Sequence, residues 1–144
     1  MESSPKVAMY IDGDNVSAKM ASQAIDIVKE KYPSLKFIKA YGNWAGKGAW
    51  KGLSLSHGLN LVQRFSHSKG KNATDIALAV DATCDISNHA FDVLIVMSSD
   101  GDFLPLVQYV QQLGKVAVGI GERKTPAAYT GLCNDFIFLE NNIH

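Results

Sequence analysis

The chain has 144 residues, 47% of them apolar and 19% charged, with no net charge at neutral pH. That is enough to bury one sizeable core and too little for two ordinary domains. No apolar run approaches the roughly 20 residues of a membrane span, and the opening MESSPKVAMYID lacks the basic and apolar segments of a secretion signal.

Residues 7–12, VAMYID, predict a buried strand with Asp12 at its carboxyl end. Val16, Met20, Ala24 and Val28 then recur at helical spacing, with Asn15 or Ser17 as cap and Tyr32-Pro33 as the stop. Residues 35–41 predict a second strand. The glycine-rich WAGKGAWKGLSLSHG predicts a loop with a short helix near residues 50–56, and residues 59–65 a third strand. A basic loop, SHSKGKN, leads to a helix over residues 74–86. Residues 91–98 are almost continuously apolar, as a central parallel strand should be. Phe103, Leu106, Val107, Val110 and Leu113 predict the next helix, with Pro105 in its first turn and Gly114 closing it. A fifth strand follows over residues 115–120. Thr125-Pro126 opens a short helix as cap and first position, and residues 136–139 form a last short strand. Cys84 and Cys133 stand outside any CxxC pattern and read as buried free thiols of an intracellular, cytoplasmic protein.

Strands alternating with helices predict an α/β fold, a parallel sheet covered on both faces. In such sheets ligands bind beyond the carboxyl ends of the strands, where the strand order switches. Acids gather at those ends. MSSDGDF places Asp100 and Asp102 two residues apart, on one side of an extended chain with Ser98, and Gly101 permits a bend between them. Asp102 alone reads as a helix cap, which leaves a second acid unexplained. IDGDN adds Asp12 and Asp14, and KNATDIALAVD adds Asp75 and Asp81. Six residues along a helix turn about 240°, so Asp75 and Asp81 cannot both face one small site. Asp75, in the first helical turn, is the candidate. Asp81 with Asp85 reads as a solvated face or a backbone anchor.

The expected constellation is Asp12, Asp75, Asp100 and Asp102, with Asn15 and Ser98 beside them. Crowded carboxylates raise one another's pKa, and a divalent cation relieves that. Hard oxygen ligands suit Mg²⁺ or Mn²⁺ rather than Zn²⁺. Two such ions about 3.5–4 Å apart can activate water and stabilise the departing oxygen of a phosphodiester. Residues 31–74 hold eight basic residues and no acid, whereas all 14 acids lie elsewhere. From this segment Trp44, Lys47, Lys51, Arg64, Lys69 and Lys71 are the candidate nucleic-acid contacts. The cations would neutralise phosphates, and Trp44 or Trp50 would stack on an unpaired base.

YIDGDN, KNATDIALAVDA and VLIVMSSDGDFLPLV, followed by GKVAVGIG, resemble the NYN domain family, the LabA-like branch of the PIN-like nucleases, in order and spacing over residues 7–121. The resemblance implies a three-layer Rossmann-like (PIN-like) α/β domain over residues 1–144, with a mainly parallel sheet of order 3-2-1-4-5. It also implies metal-dependent cleavage of RNA, single-stranded by preference, with the family's acidic positions on Asp12, Asp75, Asp100 and Asp102 and its asparagine on Asn15. A homodimer is left open. Two other readings stand beside this one. The first is an RNA-binding or regulatory module that keeps the fold without turnover. The second is a haloacid dehalogenase-type phosphatase, since IDGDNV fits DxDx[TV]. There Asp12 would be the nucleophile and Asp14 the general acid, with Lys69 or Lys71 on the phosphate and no role for Asp75.

Overall fold

A computed structural model describes residues 4–63 and 73–142. The elements run β1 (Val7–Asp12), α1 (Ala18–Lys31), β2 (Leu35–Gly42), α2 (Gly48–His57), β3 (Asn60–Gln63), α3 (Ala73–Ser87), β4 (Val93–Met97), α4 (Leu104–Gln112), β5 (Val116–Gly121), α5 (Ala127–Leu132), β6 (Asp135–Phe138) and α6 (Leu139–Asn142). A single 3₁₀ turn, Gly101–Phe103, leads into α4. The strands form one parallel sheet of order β3-β2-β1-β4-β5-β6. The expected order is present, extended by β6 as a sixth parallel strand. The chain leaves β1 towards β2 on one side and returns to β4 on the other, so the switch point lies at the carboxyl end of β1.

The period of two along each strand splits the core into two layers. Val7, Met9 and Ile11 of β1 point with Ile38, Ile95 and Val118 to the face covered by α1 and α2. There Ala21, Ala24, Ile25 and Val28 form the apolar stripe of α1, which Ser17 caps by accepting the Met20 N–H at 3.1 Å. Ala8 and Tyr10 point the other way with Leu94 and Val96, under Leu78, Ala82 and Ile86 of α3 and Leu106, Val107 and Val110 of α4. The same parity sends Asp12 and Ser98 towards the α3 face. Sheet and two helical layers thus make three layers.

Several boundaries differ from the sequence expectation for local reasons. β4 starts at Val93 because the N–H groups of Asp92 and Val93 both turn to the Lys6 carbonyl, at 2.8 and 3.0 Å. Thr125 does not cap α5. Its hydroxyl donates back to the Glu122 carbonyl at 2.5 Å, and Pro126 takes the cap position with no side-chain hydrogen bond. Of the two free thiols, Cys133 is buried but Cys84 is exposed. Among the described residues no helix is long and apolar enough to cross a membrane.

Gly13, at the exit of β1, permits the closest approach in this framework. A Cβ there would lie 2.3 Å from the Trp44 ring and 2.7 Å from the Tyr41 carbonyl. Trp44 is itself wedged against Trp50, ring centroids 4.9 Å apart. Gly13→Ala is therefore expected to cost about 1–3 kcal/mol through overpacking, read as a lower urea midpoint with an unchanged slope.

Candidate metal centre

The switch point is built around Asp12. It ends β1 in register with Tyr41 of β2 and is fully buried. The chain then bends away, with the Gly13 N–H on the Tyr41 carbonyl at 2.8 Å and the Asn15 N–H on the Asp12 carbonyl at 3.3 Å. This turn brings the Asn15 amide back to donate to Asp12 Oδ2 at 2.7 Å, and the Ser98 hydroxyl donates to the same oxygen at 3.1 Å. The other oxygen, Oδ1, is buried with no hydrogen-bond partner. Burial pushes the Asp12 pKa above its ordinary value. The bonds from Asn15 and Ser98 pull it down, and the neighbouring Asp14 charge pushes it up.

Ser98 connects β4 to the second pair of acids. Its hydroxyl also accepts the Asp100 N–H at 3.1 Å, and Asp100 Oδ1 accepts the Asp102 N–H at 3.0 Å. Asp100, in extended conformation, is thus the residue that caps the 3₁₀ turn. The sequence reading had given that role to Asp102, whose own carboxylate is left exposed. Asp75 arrives from α3, where it precedes the buried stripe Leu78, Ala82 and Ile86 at helical spacing. The packing of that stripe fixes which way Asp75 faces. Asp75, Asp100 and Asp102 each offer a carboxylate oxygen within 4.8 Å of the others. Asp75 titrates at about 7, raised first by burial, then by the charges of Asp12 and Asp100, a hydrogen bond with Asp100 and the charge of Asp102.

A buried carboxylate oxygen without a donor, beside three carboxylates that repel one another, has the chemistry of a hard-cation site. Aspartate oxygens, with no cysteine or histidine among them, fit a hard divalent cation. Asp14 takes no part. Its carboxylate accepts from the Thr74 hydroxyl and, at 3.4 Å, from the Asn43 N–H, and it lies 3.7 Å from the Lys47 ammonium. A phosphatase using Asp14 as general acid would need that carboxyl free and beside Asp12.

The remaining expected residues are dispersed. Trp44 is only 7% exposed, its indole N–H donating to the Val62 carbonyl at 2.9 Å, and Trp50 is buried against it. Trp44 therefore offers no face for base stacking. Lys47 is half-buried over the Trp44 ring and Lys51 is exposed. Arg64, Lys69 and Lys71 lie outside the described residues. Asp81 and Asp85 are neither a solvated face nor a backbone anchor. Asp81 accepts from the Tyr41 hydroxyl, Asp85 from the Tyr10 hydroxyl at 2.5 Å, and Lys39 reaches both, at 3.4 and 2.9 Å. Sequence reasoning missed this network and the Thr74–Asp14 contact. Lys39 and Tyr41, two apart on β2 and so on one face, were the available signal for the network.

A parallel α/β sheet of this order, with clustered acids at its switch point able to bind a metal ion, is that of the PIN-like class. The sequence matches the NYN domain family over residues 6–140, and the chain belongs to that family, a PIN-like nuclease family; PIN-like nucleases use divalent metals. It is similar to an uncharacterized protein of Methanocaldococcus jannaschii, 25% identical over 132 residues, which are 90% of this chain and 52% of that protein. The chain thus spans about half the length of this curated relative. A crystal structure of a protein of unknown function from Vibrio parahaemolyticus shares the fold, with a TM-score of 0.78 at 20% identity over 99% of both chains. Part of the Acinetobacter baumannii MurG structure is similar more distantly, with a TM-score of 0.55 at 12% identity over 92% of this chain and 40% of that one.

The charge crowding has a measurable consequence. The native pKa of Asp75 lies above that of the unfolded chain, so the native state binds more protons between the ordinary aspartate range and about pH 7. In chelator, stability is expected to fall as pH rises through that window. Asp75→Asn flattens the dependence and raises the denaturant midpoint at pH 8.

Proposed function

We propose that this chain is a divalent-metal-dependent ribonuclease of the LabA-like branch, acting as a single NYN/PIN-like domain that hydrolyses phosphodiester bonds in single-stranded RNA. The observation that carries the reading is the unpartnered, fully buried Asp12 Oδ1 next to the Asp75–Asp100–Asp102 cluster. Asp12, Asp75, Asp100 and Asp102 would hold Mg²⁺ or Mn²⁺. Such a cation lowers the pKa of bound water and stabilises charge on the departing oxygen of a phosphodiester.

The protein's own part is to arrange the ligands. Asn15 and Ser98 both donate to Asp12 Oδ2, which fixes the carboxylate and leaves Oδ1 as its free acceptor. Ser98 also receives the Asp100 N–H, so one hydroxyl sets the spacing of two acids from neighbouring strands. Burial and the neighbouring carboxylates favour the protonated form of Asp75 without metal, and it must lose that proton to become a ligand. Metal affinity should therefore rise with pH. Ligands at the ends of a sheet, recessed between loops, favour a flexible strand over a stiff duplex. The basic, acid-free stretch of residues 31–74 supports a polyanionic substrate, and YIDGDN and SSDGDF support the LabA-like branch.

The assay is cleavage of end-labelled single-stranded RNA in Mn²⁺, with and without chelator. Wild type is expected to cut only with metal and Asp100→Asn not at all. Asn15→Ala is expected to lose about 10–100-fold, as for other groups that orient metal ligands. Equal cleavage by wild type and Asp100→Asn would sink the reading. RNA binding without a metal-dependent product would favour the non-catalytic module.

A further inference from the structure

Two cavities open beside the turn that follows Asp12, and they share one residue. The larger, about 700 Å³, lies between the β1–α1 turn and the start of α2, lined by Gly13, Asp14, Asn15, Lys47 and Gly48 among others. The smaller, about 410 Å³, is lined by Asn15, Ser99, Asp100, Glu122, Lys124 and Pro126. Their common wall, Asn15, is the residue whose amide is bonded to Asp12. The two cavities meet at Asn15 beside Asp12, and Asp100 lines the smaller, whereas Asp75 and Asp102 line a third cavity of about 360 Å³ next to them.

The first two cavities each carry one lysine. The Lys47 ammonium is 3.7 Å from Asp14 and the Lys124 ammonium 3.8 Å from Glu122, both beyond hydrogen-bond length. Loose, solvent-accessible pairs of this kind contribute little, so both cations keep donors for a phosphate. Lys39 and Lys115 differ, each bound to a carboxylate at 2.9 Å.

Lys124 is also held in place relative to the acids. A Cβ on Gly121 would lie 2.9 Å from the Ser98 carbonyl and 3.0 Å from the Ser99 hydroxyl, so the end of β5 presses against the chain leading to Asp100. The Glu122 N–H donates to the Ser99 hydroxyl at 3.0 Å, and Thr125 closes the turn onto the Glu122 carbonyl. The turn holding Lys124 is thus tied to the loop holding Asp100. Lys124 lies far outside the basic segment in sequence, and only the sheet order brings it to the site.

Resting on the ribonuclease reading, we propose that single-stranded RNA crosses these two cavities from Lys47 over Asn15 to Lys124. The two lysines then contact phosphates on opposite sides of the bond to be cut. These two ammonium groups are the cations that line the two cavities on that path.

The test is fluorescence anisotropy with a single-stranded 2′-O-methyl RNA in Mg²⁺, with neutral methylphosphonate linkages placed on one side of its centre or the other. Wild type should bind more weakly with either substitution. Lys47→Ala should lose sensitivity on one side only, and Lys124→Ala on the other. Each should lower the log–log salt slope by about 0.7, the value for one phosphate contact on a single strand. Glu122→Gln should tighten binding, and Lys36→Ala, at the opposite edge of the sheet, should match wild type. Wild-type cleavage and binding with unchanged salt slopes in both variants, or loss of sensitivity on the same side, would overturn this path and leave the ribonuclease reading standing. Failure of wild type to bind any single-stranded RNA would overturn both.

Discussion

A carboxylate taken fully out of water is costly unless its oxygens are matched, and the Asp12 side chain is matched on one side only. Asn15 and Ser98 satisfy Oδ2, whereas Oδ1 faces no donor. Leaving such an atom unpaired costs about 1–3 kcal/mol, more when charged. The sheet nevertheless buries it at its centre, between the strands that diverge on either side. The surrounding geometry follows from this one position. The turn after β1, the serine at the end of β4 and the first turn of α3 all meet there.

α3 brings the helical contribution, and its placement depends on both layers of contact beneath it. Leu78, Ala82 and Ile86 pack on the sheet, while Asp81 and Asp85 engage Tyr41, Tyr10 and Lys39 along one flank. The stripe alone fixes the rotation of the helix. Polar contacts with two strands also resist sliding along its axis, because hydrogen bonds tolerate displacements of only a few tenths of an ångström. Burial and the pull of these carboxylates drive the Tyr10 and Tyr41 hydroxyls well above the usual tyrosine range, so both are protonated donors at any ordinary pH. The network therefore holds the end of α3 that carries Thr74 and Asp75 in one register.

Opposite charge is arranged around the acids rather than among them. Asp14 is drawn off by the Thr74 hydroxyl, which keeps it out of the cluster it neighbours in sequence. Lys47 and Lys124 flank the centre at the length of a loose ion pair. A net charge of zero for the chain conceals a local alternation of signs around the acidic cluster.

The sequence by itself determined the layer architecture, because hydrophobic periods of two and 3.6 are local and each apolar run here matches one of them. Its pattern also put Asp12, Asp75, Asp100 and Asp102 at strand ends or first helical turns, positions that a parallel sheet collects at one edge. Tertiary structure alone decided what each neighbouring acid contacts. Asp14 and Asp102 look alike in IDGDN and SSDGDF, but contacts 60 residues away turn Asp14 aside. The sequence left Trp44 open between a stacking ring and a core residue, and it is buried, because Gly13 and Gly42 leave room above β2 for an indole. The place of Lys124 could not be read from the chain either, since it depends on β5 lying next to β4 and on Gly121 pressing against Ser98. Local pattern specifies elements and strand ends, whereas contacts between distant segments assign each side chain its partner.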